Sequence, residues 1–156
     1  MKPAKVYYPL FLDLRGKPVL VIGAGKVALR KTRGLVEAGA SVTVVAPRWE
    51  AGFEGLPVRL VGRAFEPADL EGVALAFAAT DDREVNRLAG ALAAERGIPA
   101  NVADAPEECG FLVPARARRG AVQIAISTGG TDPRLAVRLR KAVEALLQER
   151  PDLAGR

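Results

Sequence analysis

The chain has 156 residues, 49% of them hydrophobic, with 23 Lys and Arg against 18 Asp and Glu, one cysteine and no histidine. That length and apolar content allow one compact domain, or one domain with a small appendage, around a real core, and they exclude a disordered chain. The single cysteine excludes an internal disulfide and a cysteine-cluster metal site, while the missing histidine removes Ser-His-Asp and Cys-His catalysis and imidazole metal ligands; carboxylates and hydroxyls are left to move protons.

In chain order, Met1 to Lys5 carries two positive charges, but the apolar stretch that follows is broken by Pro9, Asp13 and Arg15. It reads as neither a signal peptide nor a membrane span, so a soluble, cytoplasmic chain with no membrane partner is expected. Pro18 to Ile22 then forms a β-branched apolar run that leads into Gly23-Ala-Gly25-Lys-Val-Ala28. A buried parallel strand, a glycine turn and a helix in that order make a dinucleotide-binding fingerprint. Gly23 permits the tight turn, Gly25 lets the backbone approach a pyrophosphate in a turn expected to need glycine dihedrals, and small Ala28 lets helix and strand pack closely. The helix from Lys26 to Ala38 ends at Gly39, and the strand Ser41 to Ala46 completes a βαβ unit of roughly 30 residues.

Folds that choose NAD usually carry an acid about 20 positions past the glycines, at the end of the second strand. Here that place reads Ala46-Pro47-Arg48. An arginine there can accept a 2′-phosphate or lie in solvent, so these residues alone leave NAD and NADP open.

Further strands are predicted at Pro57 to Val61, Val73 to Ala78 and Ile98 to Val102, with a helix from about Asp82 to Arg96 opened by Asp81 and Glu84 as a capping box. Alternating strands and helices of this length predict a Rossmann-type, doubly wound parallel sheet, with ligands beyond the carboxyl ends of the strands. Gly23, Thr80 and Asp104 are therefore expected to line one crevice. Cys109 reads as a small filler. Beyond a boundary near Leu112 the pattern changes to two strands, Phe111 to Ala115 and Ala121 to Ile126, joined by the basic turn Arg116 to Gly120. The loop Ser127 to Thr131 leads to Asp132-Pro133, a helix start. On that helix Leu135, Leu139, Ala142 and Leu146 share one face, and Arg134, Arg138 and Lys141 share another. Two strands and one helix bury too little alone, so residues 113–156 are predicted as a small α+β dimerisation region beside a nucleotide-binding domain of residues 1–112.

Four stretches carry a resemblance that covers nearly the whole chain: Tyr8 to Leu14, Val21 to Lys31, Ala78 to Asp82 with Asn101-Val-Ala-Asp-Ala-Pro106, and Ile126 to Pro133. In these the sequence resembles the precorrin-2 dehydrogenase family, the enzymes and N-terminal modules that make sirohydrochlorin on the route to sirohaem. The resemblance implies NAD as hydride acceptor, a homodimer built by the C-terminal region, and Asp104 as the acid/base group. It places cofactor contacts on Lys26, Val27, Pro47 and Arg48, beside Gly23, Gly25 and Thr80. The family often has Ser-Ser before Gly-Gly, where this chain has Ser127-Thr128. Some members also insert iron, a step that would here fall to a carboxylate.

The substrate implied by the resemblance is a tetrapyrrole rimmed with carboxylates, which a basic cleft would attract. Ser127, Thr128 and Gly129 with Arg116 and Arg134 are assigned to it, and Arg118, Arg119 and Arg138 are further candidates. No interleaved basic and aromatic motif supports a nucleic-acid partner. Two other readings stay open at this point: Asp104 as a turn residue ahead of Pro106, and the whole chain as a sensor that binds NAD(H) without chemistry.

Overall fold

The computed structural model describes residues 6–103 and 105–154. They fall into two compact units, Leu10–Phe111 and a smaller one that begins at Leu112 and takes in the described residues before Leu10. Among the described residues no helix is long and apolar enough to cross a membrane.

The larger unit runs β1 (Pro18–Ile22), α1 (Lys26–Glu37), β2 (Ser41–Val45), β3 (Arg59–Val61), β4 (Leu75–Ala78), α2 (Arg83–Glu95) and β5 (Ala100–Val102). These strands pair in parallel in the order β3-β2-β1-β4-β5. β1 sits at the centre with neighbours on both edges and helices over both faces, which is why its sequence is continuously apolar rather than alternating. Val19 and Val21 pack with Ala28 and Leu35 of α1, while Leu20 and Ile22 pack on the opposite face with Ala89 and Ala93 of α2. Alanines at these helix positions bring each helix close to the sheet. The doubly wound arrangement predicted from the pattern is the one observed.

Neither crossover into β3 nor out of it contains an α-helix. Short 3₁₀ turns at Ala51–Phe53 and Pro67–Leu70 instead insert Phe53 into one core and Leu70 into the other. The second turn is fastened by charge. Arg63 forks onto Asp69 at 2.8 and 2.6 Å, and the Glu66 N–H donates to the same carboxylate at 2.8 Å. The Arg63 hydrogen bond is the largest cause holding the Asp69 carboxyl below its ordinary range.

α2 starts one residue later than predicted. Its cap is Asp82, not Asp81, with the carboxylate accepting from the N–H groups of Glu84 at 2.9 Å and Val85 at 3.3 Å. Thr80 decides this, because its hydroxyl donates to the Asp82 carbonyl at 2.9 Å and its N–H donates to Asn86 Oδ1 at 2.9 Å, fixing Asp82 as the last non-helical residue.

In the smaller unit, β6 (Ala115–Arg119) and β7 (Val122–Ile126) form an antiparallel hairpin, followed by α3 (Pro133–Glu149). The predicted basic turn is therefore wrong: Arg116 and Arg118 lie within β6, and the hairpin turns at Gly120-Ala121 with Gly120 at φ 58°. Register explains it. Ala115, Ala117 and Arg119 pair with Ile126, Ile124 and Val122, so small and apolar side chains share one face while Arg116, Arg118 and Gln123 share the other, exposed one. Arg119 belongs to the inner face and donates to the Leu147 carbonyl in the last turn of α3. α3 buries Ala136 and Leu147. The neighbouring stripe of Leu135, Leu139, Ala142 and Leu146 remains exposed, with Leu139 at 44% and Leu146 at 48%.

Replacing Asp69 by Asn removes a nearly buried ionic hydrogen-bond acceptor, and with half of the pair solvent-screened the expected loss is about 1–2 kcal/mol at neutral pH. The carboxyl is depressed in the folded state, so its stabilisation is present above the ordinary value of 3.8 and lost as pH falls below it. Urea melts of Asp69→Asn and the parent should differ at pH 7 and draw together progressively as pH falls below 3.8.

Candidate dinucleotide site

The chain leaves β1 at Ile22 and must turn at once into α1. Gly23 makes that turn at φ +97°, with its N–H donating to the Val45 carbonyl at 2.9 Å. A Cβ at this position would lie 2.7 Å from the Ala79 carbonyl carbon and 2.9 Å from the Thr80 nitrogen, so both the conformation and the space require glycine. Gly25 differs. Its φ of −82° and ψ of −173° are open to any residue, which corrects the expectation that this turn needs glycine dihedrals there. Nothing lies within 4 Å of where its Cβ would be. The absent side chain leaves free space directly in front of a helix.

That helix start is unlike the other two. α2 and α3 open on Asp82 and Asp132, whose carboxylates accept from their first-turn N–H groups. At α1 Gly25 provides no cap, the first turn holds no acid, and the helical ladder begins with Leu29 donating to the Gly25 carbonyl at 2.9 Å. The N–H groups of Lys26, Val27 and Ala28 precede the ladder and have no i−4 carbonyl to meet. With the helix dipole, and with exposed Lys26 and Val27 beside them, they suit an anionic group, and the open space at Gly25 admits one the size of a pyrophosphate.

The loop after β2 is tied to this turn: the Glu50 N–H donates to the Ala24 carbonyl at 3.0 Å. Exposed Pro47 and Arg48 are thereby brought beside the glycine turn, whereas Ala46 at the strand end is buried. Glu50 went unnoticed in the sequence because the 3₁₀ turn that brings it to Ala24 has no strong local signal. Thr80 closes the group from β4, its hydroxyl engaged with Asn86 Oδ1 at 2.8 Å. The ends of β1, β2 and β4 thus converge, carrying Gly23, Gly25, Lys26, Val27, Pro47, Arg48 and Thr80.

Asp104 lies outside the described residues. Around it, the Cys109 thiol is buried and accepts from the Val102 N–H at 3.2 Å while facing the carbonyls of Val102 at 3.3 Å and Ala105 at 3.4 Å. Cys109 is a filler that also pins the backbone on either side of residue 104. In the smaller unit, the Ser127 hydroxyl accepts from the Gly129 N–H at 3.1 Å, the Thr128 hydroxyl accepts from the Asp132 N–H at 3.1 Å, and Asp132 caps α3 through Leu135 at 2.9 Å. These hydroxyls build the entry to α3. Arg116 and Arg134 are exposed.

The fold and the uncapped helix behind Gly25 define a Rossmann-type dinucleotide-binding protein. Residues 10–115 match the family described as NAD(P)-binding, and residues 119–146 match the central segment of sirohaem biosynthesis proteins. A siroheme synthase of Methylobacillus flagellatus is 47% identical over 89% of this chain, and one of Methylococcus capsulatus is 45% identical over 92%. The chain spans 31% of the length of each of these relatives. The solved structure of SirC, a precorrin-2 dehydrogenase, superposes with a TM-score of 0.79 at 30% identity, covering 90% of this chain and 71% of that one. The chain belongs to the precorrin-2 dehydrogenase family, and its larger unit is an NAD(P)-binding domain.

The two glycines should separate experimentally. Gly25→Val is expected to keep the parental circular dichroism and melting temperature while losing NAD⁺ binding by calorimetry, because it fills only the ligand's space. Gly23→Ala should lower stability by at least the roughly 1–3 kcal/mol of a strained left-handed residue, because it also collides with β4. A folded Gly25→Val that binds NAD⁺ like the parent would reduce the glycine turn to a structural device.

Proposed function

We propose that the chain oxidises precorrin-2 to sirohydrochlorin with NAD⁺. The observation that carries this reading is the uncapped start of α1 behind the free space at Gly25, in a chain related over most of its length to a precorrin-2 dehydrogenase. In this reading the first-turn N–H groups of α1 hold the pyrophosphate, Gly23 and Thr80 shape the turn beneath it, and Pro47 and Arg48 border the adenosine end. NAD⁺ supplies the hydride acceptor. Asp104 accepts the proton that the macrocycle loses, since no histidine competes for the task and the family resemblance assigns it the role. Arg116 and Arg134, with the loop at Ser127, Thr128 and Gly129, meet the substrate's carboxylates.

Asp104→Asn should keep NAD⁺ affinity, because the amide preserves shape, and should lose turnover by about 10²- to 10⁴-fold, the usual contribution of a general base. Single-turnover assays with precorrin-2, following NADH absorbance, test this; an unimpaired variant would remove Asp104 from the chemistry. A domain that only senses NAD(H) would give no turnover in the parent either. The same assay with NADP⁺ should give the lower kcat/KM, and a preference for NADP⁺ that falls in Arg48→Ala would reverse the cofactor assignment.

We also propose that the protein is a cytoplasmic homodimer joined through the smaller unit. Support for the dimer comes from the exposed stripe of Leu135, Leu139, Ala142 and Leu146 on α3, which a second copy could cover. Leu139→Glu would put a charge in that stripe and is expected to convert the dimer to monomer in analytical ultracentrifugation without changing the helix content.

A further inference from the structure

α1 packs on β1 and β2, and α2 packs on β4 and β5. The helix that would hold the cofactor and the strand that leads to Asp104 are thus separated by β4, at about two strand spacings, or roughly 10 Å. Among the described residues, a lysine side chain crosses that gap. Lys31, on the second turn of α1, extends over the ring of Phe77 in β4, with Nζ 5.4 Å from the centroid, and donates to Asn101 Oδ1 in β5 at 2.7 Å. Phe77 and Asn101 are direct partners in the β4–β5 ladder, so the ammonium spans one strand and lands on the next.

Asn101 carries the link onward. Its side chain is almost fully buried, and its amide N–H groups donate to the Phe111 carbonyl at 3.1 Å and toward the Cys109 sulfur at 3.5 Å. Phe111 in turn sets its ring edge-on to Phe77, with centroids 5.4 Å apart and an interplanar angle of 86°. Cys109 holds Val102, two residues before position 104, and Ala105, directly after it. A continuous set of polar contacts therefore runs from α1 to both ends of the segment containing Asp104. Where packing alone matters, apolar residues fill such a space at lower desolvation cost; a half-buried ammonium bonded to a buried amide specifies one arrangement.

We propose that Lys31 and Asn101 are positioning residues for the dehydrogenation, fixing the distance between the cofactor helix and the Asp104 segment. The proposal rests on the reading of Asp104 as the base. A misplacement of about 1 Å between reacting groups can cost on the order of 10²-fold in rate with binding unaffected. Lys31→Met keeps the stem over Phe77 and removes the ammonium, whereas Lys31→Arg keeps a cationic donor.

The test measures kcat with precorrin-2, NAD⁺ dissociation by calorimetry and melting temperature for Lys31→Met, Lys31→Arg, Asn101→Leu, the Lys31→Met/Asn101→Leu double variant and Asp104→Asn. The expected result is a fall in kcat of about 10- to 100-fold in Lys31→Met, with NAD⁺ affinity within about twofold of the parent, and substantial recovery in Lys31→Arg. The double variant should lose no more than the worse single one, because both residues act through one link. A folded Lys31→Met with parental kcat overturns the proposal, and so does a loss that appears in NAD⁺ affinity instead, which would make Lys31 a cofactor contact. If Asn101→Leu proves unstable, the Lys31 pair decides alone. Parental turnover in Asp104→Asn would instead overturn the base assignment on which the proposal stands.

Discussion

At Gly23 the backbone leaving β1 passes so close to Ala79 and Thr80, at the end of β4, that no side chain fits between them. The glycine holds a left-handed conformation while its N–H continues the ladder to Val45 of β2. This contact determines where α1 begins and in which direction its N-terminus points. It also draws three strand ends together, because β1 is bonded to β2 on one side and β4 on the other. Move this turn outward by the width of a methyl group and the helix start, the Glu50–Ala24 link and the Thr80 turn all lose their register.

Charge is distributed around that frame with a division of labour. Carboxylates cap α2 and α3 and fasten the 3₁₀ turn at Asp69, so the acids near these starts are engaged locally. α1 is left without an acid, and its first turn is consequently free to attract one from a ligand. The excess of basic residues lies at the surface, with Arg116 and Arg118 on the outer face of the hairpin. Such a surface acts on encounter more than on stability, and its influence falls within about 10 Å at 0.1 M salt.

Polar contacts inside the larger unit mark the places where relative position matters. The Thr80–Asn86 pair sets the β4–α2 turn, and the Lys31–Asn101 bond joins α1 to β5 across a third element. Both involve asparagines that are almost fully buried, where an unmet amide would be costly and a met one fixes geometry.

Local pattern sufficed for much of this. The unbroken apolar run of β1, the Gly-Ala-Gly spacing, the helices ending before Gly39 and Gly97, and the aspartate before Pro133 are all short-range signals, each legible within a few residues of chain. They fixed the order of elements, the doubly wound class and the approximate cofactor turn. What they could not reach depended on residues far apart in the chain. Gly23, not Gly25, needs glycine for its backbone because of β4, more than fifty residues later. Arg116 to Arg119 read as a turn from composition and form a strand because the opposite register partners, Val122, Ile124 and Ile126, require small and apolar side chains to share a face. Glu50 meets the glycine turn, and Lys31 meets Asn101 seventy positions away, only after the sheet has assembled. A hydrogen bond between distant residues leaves no periodicity in the sequence; its energy exists only in the packed geometry, and so only the tertiary structure decided it.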